Sequence, residues 1–165
     1  MNDVKDLYRI SAGVQQWVEQ HAGDGLVVEL GGGNGSRYLH ERVANCITIE
    51  NDEGWAKTLA EQGVPHIHAP LVDGWYDMTD EVTELLRTAD VLIIDGPTGP
   101  HRHACEARLH LVKDGAVVVF DDTHRMRNLD IVRRCHAHGW ELLKRLICPF
   151  GRHTHIMRKH GTPTK

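Results

Sequence analysis

The sequence predicts an α/β fold: a mostly parallel seven-stranded sheet with helices on both faces, closed by an antiparallel final hairpin. Three observations predict it. Short apolar runs alternate with helix-periodic segments from Leu26 to about residue 138, as in a parallel sheet wound with crossover helices. The first run ends in the cluster Gly31-Gly32-Gly33-Asn34-Gly35, which suits a tight turn between strand and helix. The last two apolar segments, Trp140 to Ile147 and His153 to Met157, alternate in polarity around a Pro-Phe-Gly turn, as a hairpin does.

In chain order, Val4, Leu7, Tyr8, Val14 and Val18 recur at helical spacing, with Ser11 on the same stripe and Trp17 beside it. This predicts an amphipathic helix ending near His21, before the Ala22-Gly23-Asp24-Gly25 turn. Leu26 to Leu30 reads as a strand, and Ser36 as the cap of a helix through Tyr38, Leu39 and Val43. Ala44 to Ile49 is a second strand, ending at Glu50. Asn51 or Asp52 caps a helix that carries Trp55, Leu59 and Gln62 and stops at Gly63. A short strand, His66-Ile67-His68, leads into a loop from Ala69 to Tyr76. A helix over Asp80 to Leu86 precedes the strand Ala89 to Ile94, which ends in Asp95-Gly96-Pro97-Thr98-Gly99-Pro100. A helix from about His101 to Val112 follows, then the strand Ala116 to Phe120. That strand delivers Asp121-Asp122-Thr123-His124 to the edge already holding Asp95. A helix with Leu129, Ile131 and Val132 precedes the hairpin.

At 165 residues the chain suits one domain burying roughly two-thirds of its unfolded surface. Within it we read an N-terminal helix over 1–22, a core over 23–160 and a loose tail over 161–165. The longest apolar run, Ala116 to Phe120, is far short of the ~20 residues that span a bilayer. Asp3 and Asp6 stand where a signal peptide would be basic, so neither leader nor membrane anchor is expected. Cys46, Cys105, Cys135 and Cys148 show no C-x-x-C spacing and read as separate thiols of a reducing compartment, the cytoplasm. The net charge of −4 divides into −12 over residues 1–122 and +8 over 123–165. Compensation within the fold is the first reading of that asymmetry, because the basic residues are spread over several elements.

The glycine cluster invites a ligand. Residues without a Cβ let backbone approach closely, and free N–H groups at a helix start favour negative charge. The spacing discriminates among ligands. A dinucleotide fingerprint needs Gly-x-Gly-x-x-Gly, but the third place falls on Ser36 or Tyr38. No Gly-Lys-Ser/Thr closes a phosphate-binding loop. Glu50 lies 21 positions beyond Glu29, where a βαβ unit puts a carboxylate at the ribose end of a nucleotide. A carboxylate accepts from both ribose hydroxyls, whereas an isolated Glu at a strand end is simply solvated.

What is present, Glu29-x-Gly31-x-Gly33-x-Gly35, resembles motif I of the class I S-adenosylmethionine-dependent methyltransferases. Ile49-Glu50 matches the acidic position after it, Ile94-Asp95-Gly96-Pro97 is similar to motif IV, and the likeness runs from about residue 25 to 159. The resemblance implies a Rossmann-like three-layer sandwich that binds S-adenosylmethionine. It implies a cofactor site of Glu29, Gly31, Gly33, Asn34, Gly35, Glu50 and Asn51. Asp73 would meet the adenine amine, Trp75 or Tyr76 would cover a ring, and Asp95 would lie beside the methionine part or the acceptor. The first helix would pack on the sheet or cover the cofactor.

The stretches 95–99 and 119–125 are similar to a small-molecule O-methyltransferase group. In its divalent-metal branch an Asp after strand four and an acidic pair after strand five hold the ion. Asp95, Asp121 and Asp122 fall there, although Pro-Thr-Gly-Pro replaces the aromatic or histidine usual after the first aspartate. Methyl transfer to a hydroxyl needs a positioned nucleophile and removal of its proton. Asp95, Asp121 and His124 are the catalytic candidates. Either Mg²⁺ or another divalent cation on Asp95, Asp121 and Asp122 lowers the acceptor's pKa, or a side chain acts as base and Arg102, Arg125 or Arg127 supplies the positive charge. Four His-x-His pairs (His66/His68, His101/His103, His136/His138, His153/His155) lack a neighbouring ligand at zinc spacing.

The resemblance therefore implies a methyltransferase acting on a hydroxyl of a small molecule or sugar, with no membrane partner. A nicotinamide-dependent oxidoreductase of similar fold stays as one alternative. A non-catalytic or nucleic-acid-binding relative using residues 123–165 is the other, ranked last because no aromatic stacking motif or Arg-rich run supports it. Oligomeric state is not legible.

Overall fold

The computed structural model describes residues 10–147 and 151–160. Val4, Leu7 and Tyr8 of the first stripe, Cys148, the Pro149-Phe150 part of the hairpin turn and the tail 161–165 lie outside the described residues. The elements are α1 (Ala12–His21), β1 (Val27–Leu30), α2 (Ser36–Arg42), β2 (Cys46–Glu50), α3 (Glu53–Glu61), β3 (His66–His68), β4 (Leu71–Val72), β5 (Trp75–Tyr76), α4 (Asp80–Thr88) and β6 (Val91–Ile94). A 3₁₀ segment (Gly99–Arg108), β7 (Val117–Phe120), α5 (Met126–Ala137), β8 (Glu141–Ile147) and β9 (His153–Arg158) complete them.

Seven strands form one sheet in the order β3-β2-β1-β6-β7-β9-β8. The strands from β3 to β7 pair parallel, and β9 runs antiparallel to both β7 and β8. This is the expected mostly parallel sheet with its final hairpin. Its strand order reverses between β1 and β6, and that switch point opens a crevice at the carboxyl ends of the strands.

Alternation along the strands sorts the core into two layers. Val28, Leu30, Leu92, Ile94, Val118 and Phe120 face α4 and α5, packing on Val82, Leu86, Ile131 and Val132. Val27, Val91, Ile93 and Val119 face α1 and α2, packing on Val14, Val18 and Leu39. Burial of both faces explains why these strands read as unbroken apolar runs.

Four local expectations change. Ser11 is the N-cap of α1, accepting from the Val14 N–H at 3.3 Å, instead of lying mid-helix. Ser36 is the first residue of α2; its hydroxyl accepts from the Gly33 N–H at 3.0 Å and caps nothing. The expected loop after β3 contains a small antiparallel hairpin, β4 with β5. Its turn residues, Asp73 (φ 51°) and Gly74 (φ 79°), take the left-handed backbone that a tight two-residue hairpin requires. The expected helix over 101–112 is a 3₁₀ run ending at Arg108, with Pro100 in its first turn.

Candidate active site

A cleft of about 440 Å³ opens at the switch point, lined by the ends of β1, β2 and β6 and by the segments after β6 and β7. Its volume is in the range of small-ligand sites. One end carries Glu50, Asn51, Asp52 and Trp55, the middle Gly31, Gly32, Asp95 and Gly96, and the other end Arg102, Asp122, Arg125 and Arg152.

The floor is two backbones in contact. Gly31 has φ 94°, and a Cβ there would lie 2.5 Å from the Gly96 nitrogen and 2.7 Å from its Cα. A Cβ on Gly96 would in turn overlap the Tyr76 hydroxyl. Only glycine fits at either place.

Glu50 organises the first end. Its Oε2 accepts from the Gly32 N–H at 2.5 Å and its Oε1 from the Asp52 N–H at 2.6 Å. Burial raises its pKa, and these backbone donors pull it back. Each carboxylate oxygen has a second lone pair beyond the one its backbone donor uses. Trp55, in the first turn of α3, stands at the same end, where Asp52 caps the helix by accepting from the Trp55 N–H at 2.9 Å.

Glu29 is not in the cleft. Its place on β1 turns it to the α2 face, 1 % exposed, where the Thr48 hydroxyl donates to it at 2.7 Å. Burial pushes its carboxyl up to about 7, against hydrogen bonds from Ser36 and Thr48. It acts on the loop from behind, since Ser36 also holds the Gly33 N–H. Gly33, Asn34 and Gly35 do not line the cleft. Gly35 is instead tied to α1 by the Gln15 amide, which donates to its carbonyl at 3.3 Å. Asp73 is exposed in the β4–β5 turn, outside the cleft lining. Trp75 and Tyr76 are buried and meet edge to face at 5.2 Å. Of the expected cofactor residues, the structure brings Gly31, Glu50, Asn51 and Asp95 together.

At the other end the structure does not support the expected metal site. Among the described residues, no group of three or more His, Cys, Asp or Glu is placed to hold a metal ion. The reason is Arg102, 6 % exposed. Its Nη1 bonds Asp122 Oδ2 at 3.2 Å and its Nη2 bonds Asp95 Oδ1 at 3.3 Å. The same Nη2 donates to the Asp95 carbonyl, and Nε donates to the Pro97 carbonyl at 3.4 Å. A guanidinium thus sits between two of the three carboxylates that would hold the ion. Asp121 faces away from the cleft, accepting from the Thr154 hydroxyl and lining a small void under Ile94 and Phe120. Arg102 takes up Asp95 and Asp122 and the Thr154 hydroxyl donates to Asp121, so the residues present do not fit a divalent ion.

Asp122 differs from its neighbour. Its φ of 53° is left-handed, a backbone uncommon outside Gly, Asn and Asp. It is 7 % exposed and reaches the cleft. Arg125 Nη2 joins Arg102 on its Oδ2 at 3.2 Å, while Oδ1 has no hydrogen-bond partner among the described residues. His124 Nδ1 stands 3.9 Å from that Oδ1, and His124 lies outside the cleft lining. Burial and then the nearby Asp121 charge push the Asp95 carboxyl well above the usual carboxylate range, with Arg102 acting in the opposite direction. Sequence reasoning missed Gly32, Trp55, Thr98, Gly99 and Arg152 as cleft residues. Gly32, Thr98 and Gly99 lie in the glycine cluster and the 95–99 stretch that the sequence marks, whereas Trp55 and Arg152 have no local signal that separates them from ordinary helix or turn positions.

A family model described as a methyltransferase domain matches residues 28–123. No curated protein sequence matches the chain. Among solved structures, the O-methyltransferase TomG from Streptomyces achromogenes, in complex with SAM, superposes with a TM-score of 0.60 at 20% identity, over 92% of this chain and 82% of that one. The precorrin-6y C5,15-methyltransferase from Geobacter metallireducens GS-15 gives 0.61 at 12% identity, over 88% and 85%. The M. jannaschii tRNA m1G37 methyltransferase gives 0.59 at 13%, over 90% of this chain and 49% of that one. These structural likenesses are of fold.

Proposed function

The chain belongs to the class I S-adenosylmethionine-dependent methyltransferase family, and from that premise we propose that it transfers a methyl group to a hydroxyl of a small molecule without a metal ion. The observation that carries the reading is Glu50: a carboxylate at the end of β2, pinned by two backbone N–H groups and still able to accept from both hydroxyls of a ribose. The Gly31–Gly96 contact lets the loops after β1 and β6 approach each other at the switch point, where a ligand would lie, and both glycines line the cleft.

Bound in this sense, the donor supplies an electrophilic methyl on a sulfonium. Glu50 orients its ribose, Trp55 covers its base, and Gly31 and Gly32 bring backbone against its length. Asp95 lies between that length and the arginine end, where the acceptor enters. Arg102 is the fixed positive charge of the site, spanning Asp95 and Asp122. The preference for a small hydroxyl acceptor rests on the family resemblance in the stretches 95–99 and 119–125.

Titration calorimetry tests the donor site. S-adenosylhomocysteine should bind the parent, and Glu50→Ala should weaken it about tenfold or more, as loss of a charged hydrogen-bond acceptor does. Unchanged binding in that variant removes the ribose assignment. Turnover in EDTA should equal turnover without it, and loss of activity restored by Mg²⁺ would overturn the metal-free site.

A further inference from the structure

Four oxygen atoms hold Arg102. Its Nη1 donates to Asp122 Oδ2 and its Nη2 to Asp95 Oδ1, while Nη2 also donates to the Asp95 carbonyl and Nε to the Pro97 carbonyl. Two carboxylate and two backbone oxygens thus share one cation. The Arg102 side chain is 7 % exposed, against 10 % for Asp122 and 24 % for Asp95, so solvent ions screen these charges little. Arg125 bonds the same Asp122 Oδ2 from a side chain 53 % exposed; Arg102 is the one that spans both carboxylates. An all-oxygen set with two negative charges is what a hard cation selects. Here the chain fills it with its own guanidinium, whose planar fork reaches several oxygens at once. The two backbone oxygens flank Gly96, the residue that meets Gly31 in the cleft floor. One side chain therefore fixes Asp95 and also the loop that carries it.

We propose that Arg102 is the built-in cation of this site: it neutralises Asp95 and Asp122 and fixes the loop after β6, the task an exchangeable metal ion would otherwise have, and so holds the donor-binding floor in place. The inference rests on the metal-free reading above. Arg102 is a positioning residue in it, acting on the donor through Asp95 and residues 95–97. Deleting the guanidinium leaves two buried carboxylates without the cation between them, which is costly. A free cation then has a reason to enter. Two kinds match the oxygens: a guanidinium small enough to replace the lost side chain, and a hard divalent ion.

The test is Arg102→Ala, probed with Mn²⁺ and with N-ethylguanidinium, the part of the arginine side chain that alanine omits. Mn²⁺ binding is read by electron paramagnetic resonance, guanidinium binding by thermal shift and S-adenosylhomocysteine affinity by calorimetry. The variant should bind Mn²⁺ at least about tenfold more tightly than the parent, whose oxygens are already occupied. Low-millimolar N-ethylguanidinium should raise the variant's Tm and not the parent's, and its uncharged near-isostere N-ethylurea should raise neither. S-adenosylhomocysteine affinity should fall about tenfold in the variant and recover to within about threefold of the parent with either cation, an ordinary coupling between neighbouring sites. Adding Asp122→Asn should return Mn²⁺ affinity to the parent's level. Should Arg102→Ala not fold alone, one of the two cations should restore the folded state. Failure of both to bind or to restore folding overturns the proposal. So does Mn²⁺ binding that survives Asp122→Asn, or S-adenosylhomocysteine affinity that the variant keeps or that neither cation restores. Stoichiometric Mn²⁺ on the parent fails the metal-free reading itself, and absence of S-adenosylhomocysteine binding to the parent fails the donor reading; both are seen before any variant is made.

Discussion

Glu29 lies at the centre of a buried hydrogen-bond chain whose charge state reaches the glycine loop. The Thr48 hydroxyl donates to it, and His40 Nε2 stands 3.1 Å from that hydroxyl. On the other side Ser36 links it to the Gly33 N–H. Burial raises its carboxyl from 4.5 to about 7, so the folded protein binds this proton more tightly than the unfolded chain does. Stability then falls as pH rises, because ν_U is below ν_N across that interval. The contribution is fully present below pH 4.5 and is lost as pH passes 7. Its span is on the order of 3 kcal/mol. Glu29→Gln removes the titration while keeping the shape. In denaturant melts at pH 5 and pH 8, the parent should lose on the order of 2–3 kcal/mol relative to the variant. Parallel pH slopes for the two proteins would show that Glu29 is ionised throughout.

At the scale of elements, the loop after β1 and the loop after β6 are built against each other. A methyl at Gly31 would meet the Gly96 backbone and require a side-chain residue at φ 94°, whereas a methyl at Gly32 would meet the tip of Leu59 at 2.6 Å. Backbone cannot yield, but a leucine methyl can rotate. Gly31→Ala should therefore cost about 2–3 kcal/mol and disrupt cofactor binding, and Gly32→Ala about 1 kcal/mol or less, measured by urea unfolding. Equal costs would mean that the two loops separate easily. The elements of the central sheet were legible because β1, β2, β6 and β7 are buried on both faces and leave apolar runs in the sequence. The β4–β5 hairpin was not, because two-residue strands leave no period to read, although Asp73-Gly74 is a hairpin turn sequence. Glu50 was legible from its spacing to Glu29, a distance along one βα unit. The pairing of Arg102 with Asp122 was not, because it joins residues twenty apart on different elements. Nor was the opposed orientation of Asp121 and Asp122, which depends on a left-handed backbone that an Asp-Asp pair does not announce.

For the molecule as a whole, the acidic front and basic tail of the chain meet each other. Arg134 pairs with Glu106, Lys159 lies 3.9 Å from Asp114, and Arg125 pairs with Asp122. Within the tail, Arg133 pairs with Asp130 and Arg158 with Glu141. Those pairs with both partners exposed, such as Arg134–Glu106, Arg133–Asp130 and Arg158–Glu141, add only about 0–1 kcal/mol each to stability. Their larger effect is on the field, since a cation matched by a nearby anion contributes little at a Debye length of about 8 Å. Nucleic-acid binding depends on the opposite arrangement, a stripe of unmatched cations that releases counterions from the phosphates. The charge distribution therefore gives a test that likeness of fold does not. Fluorescence anisotropy with a labelled tRNA and a single-stranded oligonucleotide should show weak binding from 50 to 200 mM salt, with a log–log slope shallower than about −2. A slope of about −5 or steeper would reveal several phosphate contacts, and the acceptor would then have to be sought among nucleic acids.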